Sequence, residues 1–419
     1  MSEPLPPDRV RVVITGLGVK TPAGNSVDEA YTTIMSGKPA AAKVDELVAQ
    51  HAPVHFACRV PDFVMDSYVS LRERRQIDRG TQLALCAAAD AVRDAALSPG
   101  LPPERVGVHL GTGIGGLTSM EATALNHGDD PMGMPVHTVP RSMANSAAAR
   151  IAMRYGFQGS CNTYCTACAS GTTAIGEAAL RIRSGELDAA VAGGFDSAIT
   201  TIMISGFARM RALSTRNDAP WSASRPFDAE RDGFVLGEGA AMLVLERRDT
   251  AMARGARIYG EVAGYATNAD AFNIVAPQAD GVVSARCMSL AIADAGLTPA
   301  DIGHINAHGT STKSNDSAEA AAILRCFGAV APPPITSVKG VTGHLIGGSG
   351  ALEACIALLC AERGMVPPVA NVSDSREFDS LDIVAGAPRT VPTAPVLSNS
   401  FGFGGQNACL VLAPASWTS

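Results

Sequence analysis

One cysteine and two histidines, far apart in the chain, each lie in a turn built from small residues. Cys168 sits in Asn162-Thr-Tyr-Cys165-Thr-Ala-Cys168-Ala-Ser-Gly171. His308 sits in Asn306-Ala-His308-Gly-Thr310-Ser-Thr312, and His344 closes Lys339-Gly-Val-Thr-Gly-His344. The thiolate is the reactive form of cysteine, and imidazoles beside it can donate or accept protons. The set points to a nucleophile that forms and breaks thioesters. After Cys168, apolar positions at Ala174, Ile175, Ala178 and Leu180 carry a helical spacing. That puts the sulfur at a helix N-terminus, where free backbone N–H groups and the helix dipole favour the thiolate. The position predicts a lowered thiol pKa. A lone cysteine is more often a core thiol, and a lone histidine more often structural. Three such residues in Gly/Ser/Thr turns that punctuate apolar strands favour a site.

Those turns need elements to hold them. Arg11-Val-Val-Ile-Thr-Gly-Leu-Gly18 reads as a buried strand with a glycine turn. Its Gly16-Leu-Gly18 lacks the third glycine of a dinucleotide fingerprint, which argues against nucleotide binding. Gln82–Ala95 reads as an alanine-rich helix, and Val106–Gly116 as a strand running into a glycine loop. Further strands are read at Ala189–Gly194, Ala240–Glu246, Tyr259–Tyr265, Ile302–Asn306 and either side of the turn Phe401-Gly-Phe-Gly-Gly405. Helices are read at Gly281–Ala295 and Ser317–Phe327. Alternating helices and apolar strands imply an α/β class. Two similar halves divide near residue 255, giving regions 1–255 and 256–419. Ser214–Asp232 is too rich in Arg, Asp and aromatic anchors for a flexible linker, so one interlocked body is expected.

Composition agrees. The chain has 419 residues, 47% hydrophobic and 17% charged, which is ample for a large core. There are 42 glycines and only 5% aromatics, a profile of small-residue helices packed closely on strands. A net charge of −7 argues against nucleic acid as the main partner. No apolar run is long enough for a membrane span, and Met1–Asp8 has no secretory pattern. Ten scattered cysteines fit reduced thiols and a cytoplasmic location rather than a disulfide framework. Cys165 and Cys168 lack the second close pair that a structural zinc site needs, so no metal is expected. Arg72-Glu-Arg74-Arg75 is a local basic cluster, either a solvated helix face or a docking patch for an acidic partner.

The chain resembles the elongating β-ketoacyl-acyl-carrier-protein synthases. The resemblance runs from Val12-Val-Ile-Thr-Gly-Leu-Gly18 to Phe401-Gly-Phe-Gly-Gly405. It includes Ala212-Leu-Ser-Thr-Arg-Asn-Asp218, Ser224-Arg-Pro-Phe-Asp228 and Arg231-Asp-Gly-Phe-Val-Leu-Gly-Glu-Gly239. It implies the thiolase fold, two βαβ-rich halves in a five-layered αβαβα core, and a dimer formed through a central strand. It implies that Cys168 takes an acyl chain from a carrier protein, and that the enolate of a decarboxylated malonyl-carrier attacks the acyl-Cys carbonyl. His308 and His344 would stabilise the enolate, Lys339 would support them electrostatically, and Glu319 would organise the same network.

Both half-reactions develop oxyanions, so donors must be aimed in advance. The expected acyl oxyanion hole is the backbone N–H pair of Cys168 and Phe401, with Phe401 and Phe234 as gate residues. Thr310 and Thr312 match hydroxyls that contact a phosphopantetheine arm. Arg72, Arg74, Arg75 and Arg211 would dock the acidic carrier. The implied partners are an acyl carrier protein and either a second copy or a chain-length-factor-like homologue. No cofactor is implied beyond the carrier's own arm.

Several positions depart from the family pattern. Lys313 replaces the usual proline after Gly-Thr-Ser-Thr, Gly340 a serine after the lysine, and Gln406 a threonine or histidine after the glycine turn. Asn273 replaces a histidine in Asp270-Ala-Phe-Asn-Ile-Val275, and Cys165 is an unusual thiol. These leave the acyl substrate open between fatty-acid elongation and a polyketide or polyene pathway. Two rival readings remain. A non-catalytic chain-length partner would lack Cys168. A degradative thiolase would carry a second cysteine in the C-terminal glycine loop, where Phe401–Gly405 has none.

Overall fold

A computed structural model of the chain describes residues 9–97 and 100–417, so the reading of Met1–Asp8 lies outside the described residues. Ten strands join into one sheet. They are β1 (Val12–Lys20), β2 (Val106–Gly111), β3 (Cys161–Tyr164), β4 (Ala189–Ser197) and β5 (Glu238–Arg247). The second five are β6 (Gly260–Ala269), β7 (His304–Asn306), β8 (Ile335–Thr336), β9 (Val396–Gly402) and β10 (Gln406–Pro414). The first five lie in the order β3-β2-β4-β5-β1 and the last five in the order β8-β7-β9-β10-β6. Each half has the same sense of pairing: the first three strands in these orders are parallel, and the next two pairings are antiparallel. The chain is thus one β-topology used twice. The halves meet where β1 pairs β6, through Val13↔Glu261 and Ile14↔Gly260.

Helices fill the layers. Between the two half-sheets lie α2 (Ser170–Arg183) and α5 (Ser349–Arg363). Ile175, Ala178 and Leu352, Ile356 from these helices share one core with Leu243 of β5 and Leu410 of β10. The helix α1 (Arg79–Asp94) covers the outer face of the first half, packing Leu83 and Ala87 on Leu110 and Val191. On the outer face of the second half, α3 (Val282–Asp294) and α4 (Lys313–Phe327) pack Met288 and Ile323 against Leu397 and Val411. The result is the five-layered α/β/α/β/α stack.

Close packing explains the glycine and alanine content. A Cβ at Gly18 would lie 2.1 Å from the Ala87 carbonyl oxygen, and one at Gly16 would lie 2.2 Å from that of Ala91. Gly16-Leu-Gly18 therefore lets α1 lie directly on β1 and cradles no phosphate. The segment 214–232 is a strap. Arg231 is 2% exposed and donates to both carboxylate oxygens of Glu377 and to Ser317, tying the first half to the second.

Element ends differ from the sequence reading for local reasons. The helix read from Gln82 begins at Arg79, because the Asp78 carboxylate caps it by accepting from Gly80 N–H at 2.8 Å. The helix read from Ser317 begins at Lys313, because Thr312 caps it by accepting from Asn315 N–H. The strand read from Ile302 begins at His304. Among the described residues no helix is long and apolar enough to cross a membrane. All ten cysteines are free thiols.

Candidate active site

Cys168 occupies a one-turn 3-10 segment, Ala167–Ala169, between β3 and α2. Ala167 takes a left-handed φ of +49°, which turns the chain sharply into the helix. Ser170 braces that turn: its Oγ accepts from Thr166 N–H at 2.9 Å and donates to the Ala167 carbonyl at 2.6 Å. The sulfur thus sits at the entrance of α2, as the apolar spacing predicts.

His308 follows β7. Its turn is clamped by Glu319 of α4, whose two oxygens each accept a backbone N–H, from His308 and Gly309, both at 2.8 Å. Asp316, one turn earlier on α4, accepts the next amide, that of Thr310. Glu319 therefore organises the network by fixing the His308 backbone, not by touching the imidazole. Gly309 has φ +40° and faces Ser337, so a side chain is excluded there.

His344 follows the short helix Lys339–Thr342 and precedes α5. Its Nδ1 lies 2.9 Å from Ser349 Oγ, which also accepts from Leu345 N–H. That hydroxyl hydrogen is free for Nδ1, which assigns the imidazole proton to Nε2. His344 Nε2 is buried with no hydrogen-bond partner. Lys339 Nζ lies 3.4 Å from His308 Nδ1, donates to the His308 carbonyl at 2.5 Å, and pairs with buried Glu353. An ammonium at Nδ1 likewise leaves the His308 proton on Nε2.

These elements converge. The sulfur of Cys168 and one nitrogen from each of His308 and His344 all lie within 4.8 Å of one another. The two imidazoles meet edge-on, with centroids 5.5 Å apart. Phe234 stacks its edge on His344 at 5.3 Å, and Phe401 packs on His308 at 6.1 Å.

Burial sets the protonation states. Both imidazoles titrate well below the ordinary histidine range, chiefly because burial disfavours the cation and also because Lys339 is close. They are neutral N–H donors at pH 7. Burial likewise pushes the Cys168 thiol up to about 11, against the opposing pull of Lys339 and of backbone N–H groups. The expected depressed thiol pKa is therefore reversed. The helix entrance still favours the thiolate, but the cost of desolvating a fully buried sulfur is larger. Burial raises Glu319 to about 7.

The structure also corrects the donor assigned to Phe401. The backbone N–H that reaches the sulfur is that of Phe403, beyond the strand. Phe401 lies inside β9, opposite Asn407 of β10. Gly402 makes the approach possible, since a Cβ there would lie 3.0 Å from Cys168 N and 2.8 Å from the Thr166 oxygen. The turn Gly402–Gly405 is held from outside: Gly404 N–H donates to the Ile274 carbonyl, and Asp270 N–H donates to the Gly405 carbonyl.

A cavity of about 800 Å³ opens onto Cys168 and both histidines. One wall is apolar, formed by Ile114, Met203, Phe207, Phe234, Ile346 and Phe403. The other carries Thr310, Thr312, Lys313, Asn315, Asp270 and Asn407. The Thr310 and Thr312 hydroxyls are 2.9 Å apart and share one hydrogen bond. Arg211 lines the same cavity; Arg72, Arg74 and Arg75 do not. Arg72 and Arg75 are exposed, whereas Arg74 is held by Asp66 and is the weakest of the four as a free docking charge.

Three positioning residues escaped the sequence reading. Glu353 and Ser349 lie on α5 beneath the histidines. Asp196 is fully buried and accepts from Gly113 and Gly347 N–H, joining the glycine loop after β2 to the start of α5. A lone carboxylate in the apolar run Gly350-Ala-Leu-Glu353-Ala-Cys-Ile356 was a readable signal for Glu353. Of the departures, Gly340 has a steric reason: a side chain there would begin 2.9 Å from Ala370 Cβ. Asn273 forms a local turn, accepting from Val275 and Ala276 N–H. Lys313 stands at the cavity wall, and Gln406 pairs with Ala269 and Gly402. Cys165 is exposed, with its sulfur 3.6 Å from the Gly113 carbonyl.

Comparison with known proteins places this geometry. Residues 9–251 match the family described as "Beta-ketoacyl synthase, N-terminal domain", and residues 259–373 match "Beta-ketoacyl synthase, C-terminal domain". A 3-oxoacyl-[acyl-carrier-protein] synthase 2 of Synechocystis sp. is 41% identical over 408 residues, covering 96% of this chain and 98% of that protein. One from Staphylococcus aureus is 39% identical over 406 residues, covering 96% and 98%. Among solved structures, the ishigamide ketosynthase/chain length factor matches with a TM-score of 0.91 and 35% identity, over 97% of this chain and 100% of that one. A type II polyketide synthase ketosynthase in complex with its acyl-carrier protein, bound to a hexaketide, matches with a TM-score of 0.90 and 32% identity, over 98% and 100%.

Proposed function

The chain belongs to the β-ketoacyl synthase family, and on that premise we propose how its own residues carry out the condensation. It is a β-ketoacyl-acyl-carrier-protein synthase, an acyltransferase that joins a Cys-bound acyl chain to a malonyl unit held on an acyl carrier protein. In the first half-reaction Cys168 sulfur attacks the carrier thioester. The carrier's pantetheine thiol leaves, taking up the proton that Cys168 gives up. The acyl oxygen, negative in the tetrahedral intermediate, is received by the backbone N–H groups of Cys168 and Phe403.

In the second half-reaction malonyl-carrier enters, with Thr310 and Thr312 contacting its arm. The malonyl carboxylate leaves as carbon dioxide, and its bonding pair becomes an enolate. Nε2–H of His308 and His344 hydrogen-bond the enolate oxygen. The enolate carbon attacks the acyl-Cys carbonyl, the C–S bond breaks, and 3-ketoacyl-carrier leaves. Cys168 recovers a proton from solvent. Neutral imidazoles suit this role because they donate without titrating. Phe234 and Phe403 border the entrance to the sulfur, and Arg72, Arg75 and Arg211 receive the acidic carrier.

The observation that carries this reading is the convergence of the Cys168 sulfur with one nitrogen of each of His308 and His344 within 4.8 Å at the cavity, where the buried His344 Nε2 has no hydrogen-bond partner. The nucleophile lies in the 1–255 half and both histidines in the 256–419 half, so the site needs the two together. The reading calls for no cofactor other than the carrier's arm, and for a cytoplasmic enzyme in fatty-acid or type II polyketide synthesis. The exposed edge strand β3, with exposed Met132, Val136 and Val139 in the same half, supports assembly with a second copy or a chain-length-factor-like homologue. The test is intact-protein mass spectrometry with acyl-carrier substrates, then malonyl-carrier. An acyl adduct on Cys168 that malonyl-carrier discharges to a 3-ketoacyl product is expected. No adduct, alone or with a homologous subunit, would leave a non-catalytic partner as the reading.

A further inference from the structure

The stretch from His308 to Lys313 leads from the nucleophile to the surface. His308 is 1% exposed, Thr310 5%, Thr312 is partly buried and Lys313 is exposed, and all four line the cavity. Arg211, also exposed, lines the same cavity. Gly233-Phe234 ties the segments of the two cations together. Gly233 N–H donates to the Ser311 carbonyl at 3.0 Å, and Phe234 N–H donates to the Ala212 carbonyl at 2.9 Å. Among the described residues, neither the Lys313 ammonium nor the Arg211 guanidinium has an ion-pair or hydrogen-bond partner. The carboxylates around them are engaged elsewhere. Glu377, which feels the Lys313 charge, accepts from Arg231 on both oxygens. Asp232 lies 3.5 Å from Arg216, and Asp270 accepts from Asn407 and from Gln278 N–H. Lys313 is also locally costly: it is the first residue of α4, where a cation opposes the helix dipole.

We propose that Lys313, together with Arg211, holds the phosphodiester of the carrier's pantetheine arm. The proposal rests on the synthase reading. The arm carries its groups in the order of the burial gradient, with the thiol innermost at Cys168, the amides beside Thr310 and Thr312, and the phosphate at the mouth. The two threonines have a donor to spare. They share one hydrogen bond and Thr312 Oγ1 also accepts from Asn315 N–H, which leaves one hydroxyl hydrogen for an amide carbonyl. Lys313 then favours thioesters that bear the phosphate over those that lack it. No bond is made or broken at this position.

Small thioesters test this without the carrier's surface, because acyl-phosphopantetheine and acyl-pantetheine differ only in the phosphate. The readout is the ratio of their second-order rates of Cys168 acylation, followed by intact-protein mass spectrometry. In the parent the phosphate should raise the rate, and the advantage should shrink with salt. Lys313→Gln should lower the ratio about fivefold, and Lys313→Arg should keep most of it. Lys313→Gln should be at least as stable to urea as the parent, since a cation leaves a helix N-terminus. Malonyl thioesters in condensation should show the same fall. An unchanged ratio in Lys313→Gln overturns the proposal, and so does a loss confined to malonyl substrates, which would move Lys313 to the malonyl carboxylate. No Cys168 adduct from either thioester in the parent would overturn the synthase reading and this proposal with it. Adducts with an unchanged ratio overturn this proposal alone.

Discussion

Lys339 and Glu353 form an ion pair in which each side chain is 1% exposed, directly beneath the His308 backbone. The lysine is thereby held with one N–H on the His308 carbonyl and its charge facing His308 Nδ1. A buried charge without its partner is far more costly than the pair. Glu353 therefore positions a group that touches no substrate, through Lys339 and then His308.

Glu353→Gln should lower unfolding free energy by about 3 kcal/mol, read by urea denaturation. Its acylation of Cys168 should fall less than its condensation rate, since the disturbance reaches His308 first. Unchanged stability would show that the lysine charge is compensated elsewhere.

His344→Asn removes one enolate donor while leaving Cys168 and the Phe403 amide in place. Condensation should drop by about 10²–10³, the usual cost of one oxyanion donor. Burst acylation of Cys168, followed by mass spectrometry, should change much less. Equal loss in both steps would assign the residue to structure or to thiol deprotonation.

Gly402→Ala tests the proposed oxyanion hole of the Cys168 and Phe403 amides. The new methyl would press on Cys168 N at 3.0 Å and on the Thr166 oxygen. Acylation should fall by at least about tenfold, with the ring of Phe401 undisturbed against His308. Full activity would return the assignment to Phe401.

Arg72→Glu/Arg75→Glu reverses two exposed charges away from the cavity. Turnover of carrier-bound substrates should drop and become less sensitive to salt, while small acyl thioesters react as before. Equal effects on both substrate types would remove this patch from docking.

Glu319 gives a pH signature. Burial raises it to about 7, above the value of about 4.3 in an unfolded chain. Its contribution to stability is present below the unfolded value and is lost as pH rises through about 7. Glu319→Gln mimics the protonated form. Its stability relative to the parent should therefore increase between about pH 4.5 and 7, measured by urea melts across that range. A difference that does not vary with pH would contradict the raised pKa.

Much of the fold was legible because its signals are local. Short apolar runs, several of them ending in Gly turns, marked eight strands, and small-residue spacing marked α1, α2 and α3. The convergent trio was legible because Cys168, His308 and His344 each sit in a turn rich in small Gly, Ala, Ser and Thr residues. What failed were properties set by neighbours far away in sequence. The helix entrance suggested an acidic thiol, but the desolvation that decides the matter comes from elements of both halves. Phe401 and Phe403 are two residues apart in one glycine turn, and only the direction of that turn selects the second amide. The charge of Arg74 is taken up by Asp66, a partner that the basic cluster itself does not reveal.

The residue order alone marks the candidate participants: a cysteine, two histidines, a lysine, and an α/β pattern that recurs in each half to carry them. It could do so because side-chain chemistry and periodicity are written residue by residue. Tertiary structure alone decided their states. Pairing β1 with β6 brings the cysteine of one half to the histidines of the other, and burying them together makes the imidazoles neutral and the thiol weakly acidic. It also decided that Glu353, mute in an apolar helix, is the counter-ion of Lys339. Charge states and donor directions depend on distance and dielectric, and those exist only once the two halves have closed on each other.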